Sequence, residues 1–143
     1  MTRTLIILFL GFAACSKADT DETDTTDTTD TDVAESYSLT LNGTEYTPHS
    51  DGGHSVRATL FDASGAEIDT KEVPVVAGEF TVSWPDALTS GDSYKLLWYA
   101  DMNGDDACQD PNVDHVWRRD MAAVAQDQVI DHVHSAADFA LCN

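Results

Sequence analysis

Three hydropathy regimes follow one another along the chain. Leu5 to Phe12 is a run of eight apolar or small residues. Residues 19 to 32 read DTDETDTTDTTDTD and hold no apolar side chain at all. From Tyr37 onward short apolar–polar alternations set in, the period of half-buried β-strands. Tyr37, Leu39 and Leu41 alternate with Ser38 and Thr40, and Asn42-Gly43 follows, a strong hairpin signal. Val56, Ala58 and Leu60 alternate with Ser55, Arg57 and Thr59, and Asp62-Ala63-Ser64-Gly65 reads as a turn. Ile68 sits in a polar stretch expected to be an edge strand closed by Pro74. Phe80, Val82 and Trp84 alternate until Pro85, which is expected to stop them. Tyr94 to Ala100 is apolar on both faces, as in a central strand. Residues 116–118 and 129–134 are weaker strand candidates, and 121–128 has room for one or two helical turns. The pattern predicts an all-β fold, an antiparallel sandwich of about seven strands over residues 37–143.

The first regime is too short to span a bilayer, which takes roughly 20 apolar residues. With Arg3 before it and Ala13-Ala14 after it, the segment has the makings of a cleavable export signal over residues 1–14. Cys15 directly behind the small residues resembles a lipobox, although Phe12 stands where Leu is usual. The resemblance implies a diacylated Cys15 that anchors the chain to a membrane of the cell envelope. Ser16, rather than Asp, resembles the class sorted to the outer membrane. Residues 15–36 then form a spacer. The Asp/Thr tract can bury nothing to offset the entropy of ordering, and its like charges extend it.

Charge narrows the partners. The chain carries −19 overall; from residue 33 onward 19 acids stand against five bases (Arg57, Lys71, Lys95, Arg118, Arg119), a net −14. Nucleic acid is excluded as a natural partner, because phosphate binding needs clustered Lys and Arg. Cations and other envelope proteins are the expected partners. With Cys15 lipidated, Cys108 and Cys142 remain, and an exported chain reads them as one disulfide.

The segment GEFTVSWPDALTSGDSYKLLWYAD (78–101) resembles prealbumin-like and collagen-adhesin B-type modules, in which a Gly-x-Phe strand, a Pro-containing turn and a Gly-x-x-Tyr strand recur. The whole chain resembles lipoproteins of Gram-negative bacteria that carry an acidic, Thr-rich tether. Both resemblances imply an architecture and an envelope location; neither implies an activity.

Two segments carry chemistry. Asp101, Asn103 and Asp105 alternate as at the start of a Dx[DN]xD calcium loop, with Gly104 allowing the bend. Calcium takes six to eight hard oxygens, which Asp101, Asn103, Asp105, the Ala107 carbonyl and Asp110 or Asp114 would supply. The loop departs from an EF-hand: Asp106 replaces Gly, Asn112 replaces the bidentate Glu, and no helices flank it. Calcium is therefore the expected cofactor, set against a plain solvated turn. The competing segment is Asp131-His132-Val133-His134, which in a strand puts both imidazoles on one face. With a carboxylate they could bind zinc or copper, or serve a hydrolase. His49, His54 and His115 are the other three histidines, His115 able to buttress the acidic loop through Asp114. No Gly-x-Ser-x-Gly elbow or phosphate-cradling loop occurs, so the expectation is a non-enzymatic module.

Overall fold

The computed structural model describes residues 34–109, 111–135 and 139–142. The signal segment, Cys15 and the Asp/Thr tract lie outside the described residues, as does Asp110. Seven strands form: β1 (Ser36–Thr44), β2 (Ser55–Asp62), β3 (Glu67–Pro74), β4 (Phe80–Thr89), β5 (Tyr94–Asp101), β6 (His115–Met121) and β7 (Gln128–Val133). One short helix, α1 (Thr47–Gly52), follows β1. The strands make two sheets, ordered β4-β1-β7 and β3-β2-β5-β6.

Alternation decides what each strand buries. Leu39 and Leu41 from β1 and Val82, Trp84 and Leu88 from β4 meet Val56, Leu60, Leu96, Trp98 and Trp117 from the other sheet in one apolar core. The all-β sandwich expected from the sequence is therefore what forms. One pair departs from the antiparallel rule: β7 runs parallel to β1, from Leu39↔Gln128 to Thr44↔Val133.

Strand β5 is apolar on both faces for two different reasons. Tyr94, Leu96, Trp98 and Ala100 face the core. Leu97 and Tyr99 face outward with Val116, under a second apolar patch that includes Phe61, Ala140, Cys108 and Cys142. The C-terminal tail covers that patch, its Ala140 N–H donating to the Val116 carbonyl at 2.7 Å. The Cys108–Cys142 disulfide expected from the sequence ties tail to loop, with Cα atoms 5.7 Å apart across 34 residues.

Three local expectations are corrected. Asn42-Gly43 makes no hairpin; β1 continues through both residues, and Gly43 is buried against Phe80, where a Cβ would lie 1.9 Å from the ring. Pro85 does not stop β4, because β4 is an edge strand and a bulge at this point accommodates the missing donor. Its neighbour Asp86 has φ 51°. The helix lies at Thr47–Gly52, not within 121–128. Pro48 starts it, and Gly53 ends it in the left-handed conformation at φ 71°. In this closing turn the Gly53 N–H donates to the Ser50 carbonyl and the His54 N–H to the His49 carbonyl.

Strand registers gather one end of the sandwich. Thr44 pairs with Val133, Ser55 with Asp101, and Ala100 with His115. The end of β1, helix α1, the loop after β5, the start of β6 and the chain leaving β7 therefore meet in one place.

Candidate metal centre

All five histidines of the chain lie at that end. His49 comes from α1, His115 opens β6, and His134 directly follows β7. One ring nitrogen from each lies within 4.8 Å of the others. Among the described residues this is the one group of three or more His, Cys, Asp or Glu side chains that converges so closely. His115 Nδ1 and His134 Nε2 approach to 3.4 Å, close to the edge of a tetrahedron drawn with metal–nitrogen bonds of about 2.0–2.1 Å.

Aromatic rings pack around the cluster. Phe139 stacks on His115 at 4.3 Å between centroids. Tyr46 lies edge-on to His134 at 5.1 Å, and Trp117 at 5.5 Å. His49 is fully buried, and its Nε2 has no hydrogen-bond partner. A buried polar atom left unpaired costs about 1–3 kcal/mol, so the fold retains this imidazole against a penalty. On the other side of the ring, Nδ1 lies 3.1 Å from the sulfur of Met102, the first residue after β5.

Electrostatics keep these rings neutral. Burial, and then the neighbouring His134, His115 and His54, lower the His49 pKa from 6.5 to about 4. Burial and His134 lower that of His115, against an upward pull from Asp114. Burial lowers that of His134, against Glu45. Neutral imidazole is the form that ligates a metal.

The histidines anticipated as a pair have different surroundings. His132 and His134 do share a face, as strand alternation requires. His134 joins the cluster, whereas His132 bonds through Nδ1 to the Tyr46 hydroxyl at 2.7 Å, the same oxygen that accepts from Trp98 Nε1. His49 and His115 had no spacing to recommend them: α1 is remote in sequence from β6 and β7, and only sheet topology brings it to them.

The carboxylates of the acidic loop accept hydrogen bonds from the loop's own backbone. Asp101 accepts the backbone N–H groups of Gly104 and Asp106 at 2.7 and 3.0 Å. Asp114, fully buried, accepts those of Met102 and Gln109 at 3.1 and 2.9 Å. Asp105 is exposed and accepts from Asn103, Ala107 and Gln109. The carboxylates thus face the loop's own donors, and Asp101, Asp105 and Asp114 are not among the described residues that converge as a metal-ligand group.

No helix among the described residues is long and apolar enough to cross a membrane. No protein-family model matches the chain, and no curated protein or solved structure matches it either.

Proposed function

We propose that this domain is a transition-metal-binding module of the bacterial cell envelope, holding one ion through His49, His115 and His134 and acting as a binder, not an enzyme. The observation that carries the reading is the convergence of three ring nitrogens within 4.8 Å at a half-buried, aromatic-walled site. Three neutral imidazoles suit zinc and copper, and suit calcium or magnesium poorly, since those ions take oxygen. The envelope location rests on Arg3, the Leu5–Phe12 run and Cys15, read together as a lipoprotein signal. A prealbumin-like sandwich is part of the same proposal, supported by the two sheets of three and four strands.

The test uses the full-length protein. Metal analysis and titration should give one zinc or copper ion per chain. A ligand that binds only the folded state stabilises by about 2.7 kcal/mol at a hundredfold excess over Kd. The melting temperature should then rise by roughly 10 °C, given about 4 °C per kcal/mol. Single substitution of His49, His115 or His134 by Ala should weaken binding at least about tenfold, while His132→Ala should keep it. A shift produced by millimolar calcium and surviving the three substitutions would overturn the reading and return the function to the 101–114 loop. In membranes from a Gram-negative host, Cys15→Ser should release the chain to the soluble fraction. Continued palmitate labelling of that variant would refute the anchor.

A further inference from the structure

We propose, resting on the histidine site above, that Met102 is its fourth ligand and makes it a copper(I) site. Three observations converge. First, the Met102 sulfur lies 3.1 Å from His49 Nδ1, so an ion held through that nitrogen would have the sulfur within reach as well. A thioether is a soft ligand that favours copper(I); zinc sites are normally built from imidazole, thiolate and carboxylate.

Second, the donor set carries no charge. Three neutral imidazoles and a thioether leave a divalent ion's two charges uncompensated. The nearby carboxylates of Asp101 and Asp114 are directed at backbone amides instead. A monovalent ion in a site lined by His49, which is fully buried, meets a smaller desolvation penalty than a divalent one.

Third, the loop is built to aim the sulfur. The Met102 N–H is held by fully buried Asp114, and the two residues flanking the next bend are tied to Asp101. Cys108, six residues on, is fastened to the tail that carries Phe139, the ring stacked on His115. The acidic pattern that reads as a calcium loop is on this account the scaffold that presents a methionine. Asp114 acts as a positioning residue, through the backbone of Met102.

The experiment is an anaerobic competition for copper(I) between the full-length protein and a coloured copper(I) chelator, paired with a zinc competition and X-ray absorption at the copper edge. Wild-type protein should hold copper(I) more tightly than zinc, with sulfur as well as nitrogen in the copper shell. Met102→Leu keeps volume and apolar character; it should weaken copper(I) at least about tenfold, leave zinc near wild type and remove the sulfur signal. Asp114→Asn should weaken copper(I) with sulfur still present. If Met102→Leu binds copper(I) as wild type does, or wild-type copper shows only nitrogen, Met102 merely fills space and the inference fails while the histidine site stands. If the His49, His115 and His134 substitutions leave every metal affinity unchanged, both readings fall. The absorption spectrum of wild-type protein decides the ligand set even if the Leu variant folds poorly.

Discussion

At the scale of the residue, His49 is fully buried with its Nε2 left without a hydrogen-bond partner. A Leu or Phe would fill its place in α1 with no unpaired nitrogen. Its pKa, lowered to about 4, ties stability to acidity. Between that value and the ordinary 6.5, the unfolded chain binds a proton that the folded chain refuses. The stability contributed is therefore complete above about pH 6.5 and is lost as pH falls toward 4. His115 and His134 shift in the same direction and add to the slope. Metal-free protein should melt at progressively lower temperature from pH 7 to pH 5, and His49→Gln should flatten that dependence. A wild-type melting temperature that is flat over this window would show that the rings are not held neutral. The sequence made half of this site legible. Strand alternation places His132 and His134 on one face, but whether either has company depends on which strand lies opposite. No local pattern encodes that: His49 and His115 are isolated histidines in the sequence, and nothing in the spacing around Met102 marks it as a ligand.

At the scale of the element, β1 shows why a strong local signal can lose. Asn-Gly favours a two-residue turn by backbone conformation, an effect confined to a few residues. Continuing the strand gains pairing on both sides, to β4 and to β7, and lets Phe80 lie flat on the residue without a side chain. The longer-range gain wins, and Gly43 is selected for closeness instead of bending. Gly43→Ala should therefore cost about 1–3 kcal/mol in denaturant unfolding, the usual range for overpacking. Because the Phe80 ring also meets Tyr46 edge-on at 4.8 Å, the displaced ring should disturb the wall of the histidine site as well. A variant as stable as wild type would mean that Phe80 moves aside freely. Elements whose character is set by their own residues were readable in advance. The core-facing alternation of β2, the polar edge strand β3 ending at Pro74 and the doubly apolar β5 all form as their patterns require. β4 runs through Pro85, and the helix forms at Thr47–Gly52, because edge position and a short helix cap are properties of the assembled sheets that no local pattern encodes.

At the scale of the whole molecule, a small acidic sandwich is held by one covalent link at the end where the three histidines converge. Closing 34 residues stabilises by roughly 3–4 kcal/mol in the chain-entropy view. Reduction, or Cys142→Ser, should lower the melting temperature by roughly 10 °C or more and loosen metal binding, because the bond joins the loop bearing Met102 to the tail bearing Phe139. Peptide mapping without reductant should recover Cys108 linked to Cys142; two free thiols in folded, oxidised protein would contradict the structure. The parallel pairing of β1 with β7 sets a schedule as well as a shape. Residues 42 and 131, joined side chain to side chain, are 89 positions apart. A chain emerging from its amino end offers β1 first, and β1 then waits, with one flank unpaired, for nearly the entire domain to arrive. His134 comes one residue after the strand that ends the wait. A chain made only as far as β6 therefore lacks both the strand that covers β1 and His134, and the three imidazoles of the proposed site come together only once β7 has been made.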